Sequence, residues 1–273
     1  MGYDDIAEGY ARHWGPVIRP AAERVLDLVA PAIEAAIAGG GTPRLLDVGT
    51  GTGTLAIRAL ERWPAIRVTG IDPSGGMLEV AERHAAERLS PAARERFATE
   101  VAPADRLPFD AGAFDLAVSS FVLQLVASRS AALREVRRVL EPRGTLAWAA
   151  WQRAEGVYEP DRIANEVLDD AGFDPPEEGG RNGDIATPEA AVAGMRRAGF
   201  REVTAHAAEM AHAWDAAGYL AFFTQFDEES LFADLDAEER VDIEQRIRSG
   251  LDRLTPEQLT LRLPVIYATG RVP

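Results

Sequence analysis

Strand-length runs punctuate the first half of the chain at residues 44–48, 66–71, 96–101, 114–120 and 145–151. The first, Arg-Leu-Leu-Asp-Val, is apolar enough to be buried on both faces of a sheet and too short to be a helix. Between the runs, apolar positions recur at helical spacing. Val25, Leu28, Val29, Ala32, Ile33 and Ile37 predict a helix over 20–38, which Gly39-Gly40-Gly41 ends. Further helices are predicted over 55–63, over 74–89 with Ser74 as its N-cap, and over 130–140, followed by a turn at 141–144. This βαβ alternation means a parallel sheet with helices on both faces.

After Trp151 the pattern changes. Residues 174–180 and 182–183 carry loop chemistry, and one helix is expected over 161–171. Thr187 and Pro188 open a helix that runs to 198. A sixth strand follows over 200–210, then helices over 215–226 and 236–254, and a last strand over 259–269. Pro264 near the start of that strand demands a bulge or an edge there. An uninterrupted antiparallel hairpin between the last two strands would need only a few residues. The chain instead spends 215–254 on a segment rich in Tyr219, Phe222, Phe223, Phe226 and Phe232.

The first strand ends in Asp47-Val-Gly49-Thr50-Gly51-Thr-Gly53, and a helical pattern starts at once. Glycines at such a turn let backbone approach a ligand closely, in the crevice at the C-terminal ends of parallel strands. Dinucleotide enzymes share a turn of this kind, but Thr54 stands where their fingerprint puts its last Gly or Ala. Asp72 closes the second strand at a distance suited to ribose hydroxyls.

These residues resemble a class I S-adenosylmethionine (SAM) dependent methyltransferase. The family's acidic-x-Gly-x-Gly-x-Gly motif is matched by Asp47, Gly49, Gly51 and Gly53, and its acid after strand two by Asp72. The blocks 104–109, 114–115, 121–125 and 135–144 are similar to the ubiquinone/menaquinone C-methyltransferase-like group, as is Ala198-Gly199-Phe200. The resemblance implies a Rossmann-like, doubly wound, mostly parallel seven-stranded α/β sheet with an antiparallel last strand. It would carry an N-terminal helical cap over 1–43, a SAM-binding core over 44–151, and a C-terminal part over 152–273. The latter would include lid insertions at about 152–186 and 213–255.

It also implies SAM as cofactor, with S-adenosylhomocysteine (SAH) as product and no metal. The expected cofactor contacts are Asp47, Gly49, Thr50, Gly51, Gly53, Asp72, Pro73, Met77, Ala104, Asp105, Ser119, Phe121 and Gln124. Asp47 suits the ligand's ammonium. Asp72, acceptor-only when ionised, suits two vicinal hydroxyls. Three of these residues have plainer readings: Asp72 as a helix cap, Met77 as core and Gln124 as a solvated loop residue. One departure stands at Pro103, where the group normally has Asp beside the adenine amino group. Pro offers neither a side-chain acceptor nor a backbone donor.

Composition narrows the chemistry. The 273 residues suffice for one large α/β domain. They include no Cys and no Lys, which excludes disulfides, thiolate chemistry, a Schiff-base lysine and a P-loop lysine. A net charge of -15 argues against nucleic acid as partner. So does Ser119-Ser120-Phe121-Val122 after strand four, which lacks the Asn/Asp-Pro-Pro-aromatic segment of base and amide methyltransferases. No run is long enough for a membrane span, and the acidic N-terminus is no signal peptide, so a cytoplasmic protein is expected. A homodimer is left open.

The expected acceptor is a small, largely apolar metabolite, with its C, O or N atom undetermined. It would be held by Tyr10, Trp14, Phe223 and Phe226. His13 is the candidate base, if one is used. His84 lies on a charged helix face and reads as solvated, and His206 with His212 lacks a third metal ligand. Two other functions fit parts of the pattern: a Rossmann-type NAD(P)-dependent oxidoreductase and a non-catalytic SAM-binding protein.

Overall fold

The computed structural model describes residues 3–153, 156–173 and 183–273. The loop expected at 174–180 and 182 lies outside the described residues. A short helix α1 (Tyr3–Gly9) and a wide π turn (Tyr10–Trp14) lead into α2 (Gly15–Ala38). The core follows as β1 (Arg44–Val48), α3 (Thr54–Arg62), β2 (Arg67–Asp72), α4 (Gly75–Arg88), α5 (Pro91–Arg94), β3 (Phe97–Val101), β4 (Phe114–Ser120), α6 (Arg129–Val139) and β5 (Leu140–Trp151). The second half runs α7 (Glu159–Asp170), α8 (Pro188–Arg197), β6 (Arg201–Ala213), α9 (Ala216–Phe222) with a π turn (Phe223–Asp227), α10 (Glu229–Asp234), α11 (Ala237–Leu251) and β7 (Thr260–Arg271).

The seven strands form one sheet in the order β3-β2-β1-β4-β5-β7-β6. All pairings from β3 to β5 are parallel, and β7 runs antiparallel to both β5 and β6. Alternation along the strands splits the core in two. Leu45, Val118, Ala149 and Val265 face α2 and α3, whereas Leu46, Ala117, Trp148 and Ile266 face α6 and α8. The strand order reverses between β1 and β4, and a crevice opens there at the strands' C-terminal ends.

Several boundaries differ from the sequence pattern for identifiable reasons. Helix α2 starts five residues before Pro20, at Gly15, because Val17 and Ile18 are buried against the sheet. Packing there outweighs the preference of Pro for a first helical turn. The turn expected at 141–144 is a bulge inside β5: Phe114 pairs with Leu140, Leu116 with Thr145, and Arg143 adopts φ 68°. Pro264 sits in register opposite Glu209 without a bulge. Its carbonyl accepts from Gln152 N–H at 2.9 Å, just past the last β5–β7 pair at Trp151 and Val265. Its missing N–H therefore faces the end of β5, a local edge, and costs no ladder bond to β6.

The aromatic segment between β6 and β7 forms its own core. Tyr219, Phe222, Phe223 and Phe232 pack with Ala164 and Leu168 of α7 and with Ile243, Ile247 and Leu251 of α11. Phe223 is 1% exposed and Phe226 is partly buried against the same cluster. Phe223→Ala should therefore cost about 3–5 kcal/mol of stability. Chemical denaturation would show this as a lower midpoint, with affinity for cavity ligands close to that of the unaltered protein. An unchanged midpoint would remove Phe223 from the core.

Candidate functional site

The site begins where β1 must become α3 within a few residues. Gly49 turns the chain with φ 71°, and a Cβ there would lie 2.3 Å from Val122 Cγ2, so any side chain would drive the two loops apart. At Gly51 (φ 53°) a Cβ would meet nothing, so backbone is laid bare there. The turn is tied to β2 by Thr50 N–H donating to the Ile71 carbonyl at 2.8 Å. It is also held from outside. His84 on α4 is half-buried with Nδ1 3.1 Å from the Thr52 carbonyl, which can only accept, so this nitrogen carries the proton. The solvated His84 expected from the charged helix face is corrected by this bond.

Two carboxylates flank the turn. Asp47, 1% exposed, accepts from Thr50 Oγ1 at 2.8 Å. Burial pushes its carboxyl up to about 7, against the hydrogen bonds from Thr50 and the Ala56 amide. Asp72 accepts from Ser74 N–H and from Gly51 N–H, both at 3.0 Å. Burial raises its pKa, and the Asp4 charge adds to this while the two amides oppose it. An ionised carboxylate has about four acceptor positions, so each Asp72 oxygen keeps one free.

These groups line one end of a cavity of about 490 Å³, a size typical of small-ligand sites. Of the residues expected to bind cofactor, Asp47, Gly49, Thr50, Gly51, Asp72, Pro73, Met77, Ala104, Asp105, Phe121 and Gln124 line it. Pro103 does too. Gln124 is buried and its Oε1 has no hydrogen-bond partner, so it is not the solvated loop residue of the plainer reading. Phe121 holds φ 57°, an outlier for an aromatic residue, and its ring stacks on Trp151 at 3.9 Å between centroids.

Other expectations are corrected. Ser119 is turned away from the cavity, and its hydroxyl donates to the Val48 carbonyl at 2.8 Å, bracing β4 against β1; its neighbour Ser120 lines the cavity instead. Gly53 sits behind the turn as the N-cap of α3. His13 is not among the lining residues; burial lowers its pKa and Arg12 adds to the lowering. Phe223 and Phe226 are also absent from the lining. The first is inside the insertion core, and the second meets the Tyr10 ring edge-on at 6.3 Å.

The rest of the lining includes Trp14, Ile18, Leu125, Val126 and Trp151, together with Tyr10, which packs on Met77. Trp14 reaches Trp151 at 6.3 Å and Phe222 at 5.6 Å between ring centroids, so it joins the cavity to the insertion. Sequence reasoning missed Ile18 and Trp151 because nothing in their local pattern separates them from ordinary core. It also missed how the 104–109 loop is held. Glu135 accepts from Leu107 N–H at 3.1 Å, and Arg138 donates to the Leu107 and Phe109 carbonyls at 2.9 and 2.7 Å. The spacing of Glu135 and Arg138 on one helix face was the available signal.

Residues 45–144 match the model of a family described as a methyltransferase domain. The malonyl-[acyl-carrier protein] O-methyltransferase of Geobacter sulfurreducens is 33% identical over 184 residues, which are 66% of this chain and 62% of that protein. The ubiquinone/menaquinone biosynthesis C-methyltransferase UbiE of Geotalea daltonii is 38% identical over 102 residues, 37% of this chain and 42% of that protein. The chain thus spans less than two thirds of the length of either relative. The crystal structure of the [4+2]-cyclase SpnF superposes with a TM-score of 0.55 and 25% identity, covering 93% of this chain and 82% of that one.

Asp47 makes one prediction independent of any ligand. Its folded pKa lies above the ordinary value of 3.8, so the folded state holds the proton more tightly. Its contribution to stability is complete below about pH 4 and is lost as pH rises through about 7. The stability of Asp47→Asn relative to the unaltered protein should therefore climb between pH 4 and 7, by an amount of order a few kcal/mol, and then level off. Thermal melts across pH check this. Asp227, also pushed up to about 7, titrates in both proteins and cancels in the difference.

Proposed function

We propose that this chain, which carries a class I SAM-dependent methyltransferase domain, moves the methyl group of SAM to a small, largely apolar metabolite. The observation that carries the proposal is the pairing of Asp47 and Asp72 across a bare Gly-rich turn, at one end of a cavity whose other end is aromatic and aliphatic. The residues suit the cofactor. The free acceptor positions of Asp72 match a ribose diol, Asp47 matches an ammonium, and the open side of Gly51 leaves room for backbone contact. The unpartnered Gln124 Oε1 is a further buried acceptor in the cavity wall. The adenine contact falls to Asp105, or to Ala104 through its backbone, in place of Pro103.

When bound, SAM supplies an electrophilic methyl group with its own leaving group. The task left to the protein is to align a nucleophile and exclude water, and positioning alone supplies much of the acceleration. Tyr10, Trp14, Phe121 and Trp151 form a wall suited to a flat or apolar acceptor. Among the described residues, the cavity lining includes no Arg and no His. With Asp47, Asp72 and Asp105 as its charged groups, this lining disfavours an anionic acceptor and suits a nucleophile that needs no imidazole base, such as an amine or an activated carbon or oxygen. The relatives methylate carbon in one case and oxygen in the other, as their names state. The insertion from α9 to α11 backs this wall from outside through the contact of Phe222 with Trp14.

Turnover of SAM to SAH with a panel of apolar amines, phenols and activated carbon acids tests the reading. SAM binding without turnover of any acceptor would favour a use of the fold other than methyl transfer, as the name of the cyclase neighbour illustrates. Binding of NAD but not SAM would sink the proposal outright.

Two substitutions test the cofactor end. Asp72→Ala removes hydrogen bonds to a charged acceptor worth roughly 1.5–3 kcal/mol each. It should weaken SAM binding by about 10–100-fold in a folded protein, as read by calorimetry. An unchanged dissociation constant would remove Asp72 from the site. Pro103→Asp should leave SAM binding intact or tighten it; a collapse of affinity would show that residues 101–109 do not meet the adenine.

A further inference from the structure

We propose that residues 3–14 form a lid over the cavity and that Asp4 is its latch, a positioning residue that keeps Tyr10 and Trp14 closed over a ligand bound there. The proposal rests on the methyl-transfer reading for the choice of ligand, and on the chain's own contacts for the latch itself.

Helix α1 is seated on α4 and its cap, and its Gly9 also abuts the insertion, where a Cβ would stand 3.1 Å from Phe226 Cδ2. Asp4 Oδ1 accepts from Ser74 Oγ at 2.7 Å and from Gly76 N–H at 2.8 Å. Glu8 pairs with Arg83 of α4 at 2.6 Å. Ala7, Tyr10 and Ala11 pack on Met77 and Val80 of the same helix. The approach is close: a Cβ on Gly76 would stand 3.0 Å from the Asp4 carbonyl oxygen and 3.1 Å from its Cα.

The geometry links the latch to the ligand site through one residue. Ser74 donates its hydroxyl to Asp4 outside the cavity and its N–H to Asp72 inside it. Asp4 also caps the Gly76 N–H at the N-terminus of a 14-residue helix, where negative charge is favoured. The hydrogen bonds from Gly76 and Ser74 hold the Asp4 carboxyl below its ordinary range, so the latch stays charged at neutral pH. With the latch made, the π turn carries Tyr10 and Trp14 onto the cavity, where Tyr10 packs on Met77. With the latch broken, α1 loses its tie to the cap of α4 and keeps the Glu8–Arg83 pair, the small apolar contact and its packing on Phe226.

The experiment uses SAH as probe on the full chain with Asp4→Ala, Asp4→Asn and Gly76→Ala. If Asp4→Ala leaves the lid closed about a tenth of the time, the apparent dissociation constant for SAH rises about tenfold. The gain should appear mainly as faster release. Asp4→Asn keeps an acceptor oxygen and should recover part of the loss. Gly76→Ala should weaken SAH binding similarly, although Ala at a helical position raises or preserves helix stability. A melting temperature that is unchanged or higher, together with weaker binding, separates a latch from a merely structural residue. SAH binding by both Asp4→Ala and Gly76→Ala equal to that of the unaltered protein would overturn the proposal. If the unaltered protein binds no SAH, it is the methyl-transfer reading that fails. The latch is then read from tryptic cleavage after Arg12, which both variants should accelerate in the ligand-free chain. Cleavage at the unaltered rate would overturn it.

Discussion

The structure turns on two carboxylates held at the ends of adjacent parallel strands, Asp47 on β1 and Asp72 on β2, with a tight backbone turn between them. Burying such groups is expensive unless each is hydrogen-bonded. Here the bonds come from the turn itself: Thr50 Oγ1 serves Asp47 and Gly51 N–H serves Asp72. The same groups that make the carboxylates tolerable also fix the path of the turn. This explains why α4 contributes His84 to steady the Thr52 carbonyl, and why Ser74, at the cap of α4, bonds Asp72 as well. The polar end of the cavity is one network built on two strand ends.

The rest of the cavity is apolar and arrives from distant parts of the chain. Trp151 ends β5, Phe121 follows β4 in a left-handed conformation, and Trp14 comes from the N-terminal turn. Stacking of Phe121 on Trp151 offsets the backbone cost at Phe121. The cavity therefore has a chemical gradient, acidic at the turn and aromatic away from it. The proposed methyl transfer uses that gradient: a cationic donor lies at the acidic end, and an apolar acceptor lies at the aromatic end.

The insertion between β6 and β7 has its own core, but it is not an independent appendage. Trp14 packs against both that core and the sheet face covered by α2, and Phe226 meets Tyr10. The N-terminal segment is thereby held between α4 on one side and the insertion on the other. A change in either support reaches the aromatic wall, which makes this segment the natural place for motion during ligand exchange.

The sequence by itself determined the sheet core and the polar end of the cavity. Strand-length apolar runs, helical periodicity and the Ser74 and Thr187 caps are local signals, and hydrogen bonds within a few residues enforce them. The order Asp47, Gly49, Gly51, Asp72 is equally local, because a strand-to-helix turn places those residues wherever it occurs. Tertiary structure alone decided which aromatics face the ligand. Phe223 and Trp14 look alike in the sequence, yet one fills a core and the other lines the cavity, since side-chain direction there depends on helices that pack from far along the chain. Only packing turned Ser119 inward to Val48 and left Ser120 at the cavity, and only the approach of α1 to α4 gave Asp4 a partner. Such contacts join residues tens of positions apart, and no periodicity or spacing encodes them.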